Sequence, residues 1–287
     1  MKALDGLHIV VTRPAAQAAT LAEMIRAAGG VPVLFPTIDI AALPDLRELD
    51  AALAALADFD LAIFVSANAV QHAFARLAAL GMSWPAQLRA AATGPVTAAR
   101  LAAHLTAQLP ARAQLPAHLP AQLSGQLPNH LPGREAHGVI HPPERFDSEG
   151  LIAELARLKV APQRVLIVRG TGGREWLVDH FSDAGIAVQT VASYARVRGT
   201  AEAAPVLQLL RQGQAAALTV TSSEGGENLM TMLGSEASSI TKSVPVFVPH
   251  PRIAARMRAL DCARVIETAG GDAGLMAGLT AHFAQAA

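Results

Sequence analysis

The chain has 287 residues, enough for one large or two small domains, and 23 basic side chains balance 23 acidic ones. A zero formal charge argues against a protein that coats nucleic acid or an anionic membrane, since both tasks need a cationic surface. A hydrophobic content of 52% excludes a disordered chain, and the single Cys262 excludes a disulfide framework. The acidic Asp5 and the shortness of every apolar run predict a soluble, cytoplasmic protein without a signal peptide or membrane span.

An internal repeat organises the chain. Residues 8–13 and 164–169 both have the composition of a short buried strand that ends in arginine, 156 positions apart. The same shift aligns Ser66 with Ser222, and it aligns proline and glycine positions as well. We infer that the two halves are copies of one unit.

Strands alternate with helices in both copies. The first copy predicts strands at 8–12, 31–35, 61–65 and 89–93, with helices at 15–28, 45–57, 68–80 and 95–103. The second predicts strands at 164–168, 186–191, 216–221 and 244–248, with helices at 173–184, 224–233 and 251–260. This alternation predicts an α/β fold of two lobes, each a parallel sheet flanked by helices, with a cleft between them.

Residues 104–133 interrupt the repeat. Beyond them the shift between copies falls to 126, which aligns Val139-Ile140 with Val265-Ile266. Five prolines, each preceded by leucine, exclude a regular helix in the segment. We interpret it as a Leu-Pro-rich, disordered surface insertion; a partner-docking element is the alternative.

The ends of the predicted strands carry hydrogen-bond donors. Ligands of open α/β sheets bind there, close to helix N-termini, whose free N–H groups favour anions. The donors are Arg13, Ser66, Asn68 and Thr97 in the first copy and Arg169, Gly170, Gly172, Gly173, Ser222, Ser223, His250 and Arg252 in the second. The pattern predicts an anion-binding cleft.

A plainer interpretation exists for several of these residues. Ser66, Asn68 and Ser222 are also typical helix N-caps, and a cap lies where a ligand docks, so the two roles are compatible. Arg13 and Arg169 have solvent as their alternative partner. The Gly170–Gly173 run lacks the Lys-Ser/Thr ending of a phosphate loop, so it gives nucleotide binding little support.

Few residues bear recognisable catalytic chemistry. The sequence contains no zinc-protease motif and no serine-hydrolase elbow, so we expect neither a metal nor a cofactor. Cys262 follows an aspartate at a helix end, and we interpret it as structural. The single tyrosine, Tyr194, is either a half-buried strand aromatic or a weak acid that hydrogen-bonds a leaving hydroxyl.

Eight motifs in order resemble the uroporphyrinogen-III synthase family. They are Val11–Pro14, Phe64–Val70, Thr93–Ala98, Asp147–Leu151, Arg169–Glu175, Tyr194 with Arg196, Thr221–Glu224 and His250–Arg252. The resemblance covers the chain outside 104–133. One motif departs from the family pattern, because His250-Pro251-Arg252 stands where some members have Gly-Pro-x-Thr.

The resemblance implies a specific domain arrangement. Two α/β lobes would be joined by a two-stranded linker with a crossed chain path. Lobe one would comprise 1–37 plus 199–287, and lobe two 38–198. The copies of the sequence repeat would then exchange their first strand–helix–strand.

The resemblance also implies the reaction. Hydroxymethylbilane, a linear tetrapyrrole rich in carboxylates, would lose water and close to uroporphyrinogen III with ring D inverted, without cofactor or metal. Tyr194 would assist departure of the hydroxyl, and Thr97, Ser66 and Ser222 would line the cleft. Because the same compound closes spontaneously to the type I isomer, the protein would mainly control geometry.

The expected partners are correspondingly few. We expect a monomer that binds hydroxymethylbilane, with a transient hand-over from hydroxymethylbilane synthase, and that binds neither nucleic acid nor membrane. The product would serve haem, sirohaem or cobalamin synthesis. One rival is a non-catalytic, two-lobed anion-binding protein, and a second is a nucleotide- or sugar-dependent transferase.

Overall fold

The computed structural model describes residues 2–108, 138–173 and 175–284. The chain divides into two compact units. The terminal unit comprises Met1–Ile40 and Arg196–Ala287, and the middle unit is the continuous segment Ala41–Ala195. No helix in the described segments is long and apolar enough to cross a bilayer.

Strands and helices alternate along most of the chain. The strands are β1 (His8–Val11), β2 (Val31–Leu34), β3 (Ile38–Ala41), β4 (Leu61–Phe64), β5 (Arg89–Ala92), β6 (Arg164–Gly170), β7 (Ala187–Arg198), β8 (Ala215–Thr219), β9 (Val246–Val248) and β10 (Val265–Glu267). The helices are α1 (Ala15–Ala27), α2 (Arg47–Ala54), α3 (Ala67–Ala79), α4 (Pro95–Ala107), α5 (Ser148–Arg157), α6 (Trp176–Asp183), α7 (Ala204–Arg211), α8 (Ser223–Leu233), α9 (Ala237–Ser243), α10 (Pro251–Ala259) and α11 (Gly271–Ala284). The α/β class and the helix-flanked parallel sheets predicted from the sequence are confirmed.

The sheet of the terminal unit has the order β10-β9-β8-β1-β2, with parallel pairing between neighbouring strands. Successive residues of a strand point to opposite faces. Val10 therefore packs with α8 and α10 residues such as Leu229 and Met257, while Ile9 packs with Leu21 of α1 and Leu275 of α11. Both faces of this sheet are covered by helices, which explains its continuous apolar strands.

The sheet of the middle unit has the order β3-β7-β6-β4-β5, and the pairings from β7 to β5 are parallel. Ile63 of β4 packs in a cluster with Leu151 of α5 and Phe181 of α6. Phe64, which points the other way, lies 6.0 Å from the ring of Phe74 on α3. The two sheets have corresponding strand orders: β6 and β7 of the middle unit occupy the places that β1 and β2 have in the terminal unit.

The structure confirms the change of shift within the repeat. Ala91 of β5 forms a parallel bridge with Ile140, and Phe247 of β9 pairs with Ile266 of β10. The two pairs correspond to each other when the shift is 156 before the insertion and 126 after it. The copies therefore share not only element order but strand register.

Several element boundaries differ from the predictions. Helix α4 runs to Ala107, so the predicted disorder of 104–133 is wrong for residues 104–107, which form the last turn of this helix. The remainder of that prediction, 109–133, lies outside the described residues. The predicted helix at 45–57 is split into α2 and a short 3-10 turn, because the helix ends at Ala54 before Leu56–Asp58. Strand β7 continues to Arg198, seven residues beyond the predicted end at 191.

Candidate active site

Tyr194 lies at the carboxyl edge of the middle unit's sheet. Its side chain is only 3% exposed, and its Oη lies 3.1 Å from Oγ of Ser66. Ser66 is the N-cap of α3, where its Oγ accepts a hydrogen bond of 3.1 Å from the N–H of Ala69. The phenol is therefore held at the positive end of the α3 dipole. Tyr194 is a strand aromatic, as one alternative predicted, and it is buried rather than half-buried; its role as a weak acid stays a prediction.

A bulge in β7 aims Tyr194 at this position. Arg169 of β6 pairs with Ala192, but the next residue, Gly170, pairs with Tyr194, which leaves Ser193 as the extra residue. The Ser193 hydroxyl donates to the carbonyl oxygen of Ala69 at 3.2 Å, so consecutive side chains of β7 both contact the first turn of α3. Bulges commonly re-aim a side chain in this way near functional sites.

Gly170 makes room for the tyrosine ring. A Cβ atom built on Gly170 would lie 2.6 Å from Cζ and 2.9 Å from Oη of Tyr194. Real side chains do not tolerate such distances, because carbon atoms in contact lie about 3.5–4.0 Å apart. The sequence pointed to Gly170 as a backbone donor; the structure gives it a separate role as the surface on which the Tyr194 ring rests.

His72 was missed by the sequence analysis. It lies on α3, partly exposed, with its ring centroid 5.5 Å from that of Tyr194. The only available signal was its place four residues after Asn68 on the same helix, which puts both side chains on one side of α3. His72 covers the Tyr194 ring and helps to fix its orientation.

The other predicted residues of the middle unit lie at neighbouring strand ends. Asn68 is partly buried in the first turn of α3, and Thr97 is buried in the first turn of α4. Arg169 forms an ion pair of 2.7 Å with Glu175. Gly172 and Gly173 are exposed with positive φ values of 70° and 112°, a loop conformation that glycine adopts readily.

The terminal unit carries a similar set of donors. Ser222 is the N-cap of α8, its Oγ accepting a hydrogen bond of 3.0 Å from the N–H of Gly225, and the partly buried Ser223 follows it. His250 is the N-cap of α10, where Nδ1 accepts from the N–H of Arg252 at 3.1 Å. The capping interpretation is thus confirmed for Ser66 and Ser222, which are equivalent in the repeat, and is wrong for Asn68, because α3 begins at Ala67 and Asn68 lies within its first turn.

Arg13 is engaged within the terminal unit. Its guanidinium lies 2.5 Å from a carboxylate oxygen of Asp272, and both side chains are largely buried, at 15% and 20% exposure. A charge pair of this kind, hydrogen-bonded and shielded from water, fixes Arg13 at the end of β1. A ligand carboxylate that binds Arg13 has to share it with Asp272.

Two further sequence expectations concern metals and the cysteine. The described residues contain no cluster of His, Cys, Asp or Glu able to hold a metal ion. Cys262 is 4% exposed, and burial raises the pKa of its thiol, as expected of a structural cysteine rather than a nucleophile.

Comparison with known proteins identifies the family. The family model described as uroporphyrinogen-III synthase HemD matches residues 19–274. The chain belongs to the uroporphyrinogen-III synthase family. Uroporphyrinogen-III synthase from Synechococcus elongatus is 32% identical over 234 residues, 81% of this chain and 76% of the relative. The Escherichia coli uroporphyrinogen-III synthase is 28% identical over 227 residues, 79% of this chain and 80% of that protein.

Solved structures agree with the fold. A mutant uroporphyrinogen III synthase from the extremely thermophilic bacterium Thermus thermophilus superimposes with a TM-score of 0.60 at 15% identity, covering 98% of this chain and all of the other. The resemblance of the motifs to uroporphyrinogen-III synthases is confirmed, as are the enzyme class, a hydro-lyase, and the place in tetrapyrrole biosynthesis. The matched region contains every predicted site residue of this uroporphyrinogen-III synthase family member except Arg13.

Proposed function

We propose that the carboxyl edges of the two sheets bind hydroxymethylbilane and that Tyr194 donates the proton with which its hydroxyl leaves as water. The observation that carries this proposal is the 3.1 Å contact between Oη of Tyr194 and Oγ of Ser66 at the N-terminus of α3. It makes Tyr194 an oriented acid at the edge of the sheet where ligands of this fold class bind.

The hydrogen bond between the two hydroxyls suits proton donation. Oγ of Ser66 already accepts from the N–H of Ala69, so its own proton is available to the phenolic oxygen. With Ser66 donating, the Tyr194 proton points away from Ser66 and is free for the substrate. The phenolate left after transfer accepts a charge-assisted hydrogen bond from Ser66 and lies at the positive end of the α3 dipole.

The proposed reaction loses one water molecule and returns Tyr194 to its phenol form. The bilane's C–O bond breaks, and the proton from Tyr194 converts the departing hydroxide into water, which leaves an azafulvene cation. The substituted carbon of ring D attacks this cation to form a spiro intermediate. The older bond from that carbon to the methylene bridge of ring C then breaks, which leaves a second azafulvene cation on ring C, and the unsubstituted carbon of ring D attacks this cation to close the ring. That carbon loses its proton as the pyrrole regains aromaticity, and this proton restores the phenol of Tyr194.

The remaining donors bind carboxylates and so fix the conformation of the bilane. In the terminal unit these are the N-termini of α8 at Ser222 and Ser223 and of α10 at His250 and Arg252. In the middle unit they are Asn68 and Thr97, with the loop from Gly170 to Gly173. Holding ring D where its substituted carbon reaches the cation selects type III over the spontaneous type I closure, because orientation rather than reactivity decides between them. Arg13 and Arg169 bind substrate carboxylates while remaining close to Asp272 and Glu175.

We also propose that the two units are the lobes of the family, joined by a two-stranded linker with a crossed chain path. Three observations support it. The chain passes between the units at residues 40–41 and 195–196, within β3 and β7, which are neighbours in one sheet. β1 pairs with β8 in the terminal unit, and β4 pairs with β6 in the middle unit, so each sheet combines strands from both copies of the repeat.

We propose a cytoplasmic monomer that takes hydroxymethylbilane directly from hydroxymethylbilane synthase. A compound that closes spontaneously to the wrong isomer favours a short transfer between the two enzymes. Product analysis at increasing dilution tests the hand-over: the type I fraction should rise as encounters become rarer.

The test of the function is a coupled assay with Tyr194→Phe as the decisive variant. Hydroxymethylbilane is generated in situ, the products are oxidised, and the type I and type III isomers are separated by chromatography. The wild-type chain should give mainly type III without added metal or cofactor. Tyr194→Phe should lower kcat by about 100-fold, as expected for a general acid, while the melting temperature stays close to that of the wild type.

Two results would contradict the proposal in different ways. Unchanged turnover in folded Tyr194→Phe would remove the phenol from the mechanism and leave orientation as the source of catalysis. Only type I from the wild-type chain, equal to the protein-free control, would favour the non-catalytic anion-binding protein instead.

A further inference from the structure

Two apolar side chains are unusually exposed at the carboxyl edge of the middle unit's sheet. Val96 is 74% exposed and Phe146 is 57% exposed, the highest values among the large hydrophobic residues of the described chain. Val96 lies in the first turn of α4, and Phe146 directly precedes Asp147, the N-cap of α5. A Cβ built on Gly94 would lie 3.4 Å from Cβ of Phe146, so the two exposed side chains flank the same glycine.

The corresponding positions of the terminal unit carry different residues. The shift of 156 places Arg252, also exposed, at the position of Val96. Gly150 of α5 and Gly274 of α11 occupy equivalent positions, because a Cβ built on either would collide with the carbonyl oxygen of the residue five positions earlier. The local shift between the copies, taken from these two glycines, is therefore 124. By that shift Gly270 corresponds to Phe146. The fold therefore accepts a cation and a glycine at this place, and the apolar pair is particular to the middle unit.

The pair lies close to the candidate acid. β5, whose end carries Gly94, is the neighbour of β4, whose end carries Ser66. The Thr93 hydroxyl donates to the carbonyl oxygen of Val65 at 3.2 Å and so ties these two strand ends together. Oη of Tyr194 lies 3.1 Å from Oγ of Ser66, and adjacent strands are about 4.8 Å apart, so the strand end that carries the apolar pair is about one strand spacing from the strand end that the phenol reaches.

The substrate class explains an apolar surface at this place. A bilane has carboxylates on its periphery, but its pyrrole rings are flat and largely apolar, and hydrogen-bond donors alone leave those rings uncovered. We infer that Phe146 and Val96 form a platform on which one pyrrole ring of hydroxymethylbilane packs, a role that rests on the proposed function. Aromatic rings favour offset or edge-to-face contact, which Phe146 is placed to offer, while Arg252 in the terminal unit serves the carboxylates instead.

The test compares Phe146→Ala and Val96→Ala with Leu158→Ala, a control at the other end of α5 that removes a side chain of 42% exposure. Phe146→Ala should raise KM about five- to tenfold with kcat little changed, and Phe146→Trp should restore KM, since loss of one ring contact acts on binding. Leu158→Ala should leave KM unchanged. This pattern differs from that of Tyr194→Phe, which acts on kcat.

A second readout separates the platform from the catalytic proposal. Fluorescence titration with uroporphyrin III, the stable oxidised product, gives a Kd that does not depend on turnover. Phe146→Ala should weaken this binding by a similar factor. If the wild-type chain forms only type I, the catalytic function falls, and the titration still decides the platform. Unchanged KM and Kd in folded Phe146→Ala, or a lower melting temperature with unchanged Kd, would overturn the inference.

Discussion

Replacing Gly170 by alanine should displace the Tyr194 side chain and lower the activity, although residue 194 itself is unchanged. The new methyl group would lie 2.6 Å from Cζ of the tyrosine, and carbon atoms need about 3.5 Å, so the ring has to retreat by about 1 Å. A shift of that size takes Oη out of reach of Ser66, from which it now lies 3.1 Å. Because a misplacement of about 1 Å can cost about 100-fold in rate, kcat should fall by a factor of this order.

The stability cost of Gly170→Ala should be moderate. Overfilling a packed site typically costs about 1–3 kcal/mol, which leaves the variant folded with a lower melting temperature. Gly138→Ala is the matched control, because a Cβ on Gly138 meets no atom of the described residues within 4 Å and the residue does not need a positive φ. Initial rates of type III formation and thermal unfolding, measured on both variants, separate the two effects.

A double variant gives the strictest test of this reasoning. If Gly170→Ala acts only by displacing the phenol, adding it to Tyr194→Phe should lower kcat little further, since the hydroxyl is already lost. Fully additive losses would refute a role exerted through Tyr194, as would normal turnover in Gly170→Ala.

Two further predictions concern charge. Arg252→Ala should raise KM about fivefold, because it removes an exposed guanidinium that binds a substrate carboxylate. Arg256→Ala, on the same helix, should leave KM unchanged, since Arg256 is already paired with Glu227. Equal KM values for the two variants would contradict the assignment. Hydrogen bonds from the N–H groups of Arg164 and Gln163 hold the pKa of Asp60 below its usual 3.8. The stability that Asp60 contributes is therefore present above pH 3.8 and is lost as the pH falls through its lower folded pKa, so Asp60→Asn should show a shallower loss of unfolding free energy in acid than the wild type, measured by urea titration.

The sequence was sufficient for most of the fold because short buried strands are visible locally. Apolar runs such as Leu61–Phe64 and Val246–Val248 have few alternatives in an alternating α/β chain. Strand β3, Ile38–Ala41, was not predicted, since four residues that include an aspartate give no clear periodicity. The end of β7 was missed because the pattern of inward and outward residues breaks at the bulge near Ser193.

The candidate site was predictable as a set of residues but not as contacts. Tyr194 and Ser66 were both singled out, yet 128 positions separate them, and only the pairing of β4, β6 and β7 brings them together. The ion pair between Arg13 and Asp272, 259 positions apart, lay equally outside the reach of local patterns. Residue type shows what a side chain can do, whereas its partner depends on strand order, which local patterns leave open.

The pairing of β1 with β8 has a consequence for synthesis of the chain. His8 pairs with Val31 of β2 on one side but with Ala215 of β8 on the other, so β1 emerges about two hundred residues before this second neighbour exists. The middle unit, Ala41–Ala195, is continuous and has all its strands once that segment has left the ribosome. Domains generally fold as units during synthesis, so this segment folds first. Residues 1–40 stay unfolded until residues 196–287 are made, and their apolar strands are exposed to solvent during that time. A circular permutant that begins at Ala41 and links residue 287 to residue 1 would make both units continuous, so that each could fold as soon as its own segment is complete.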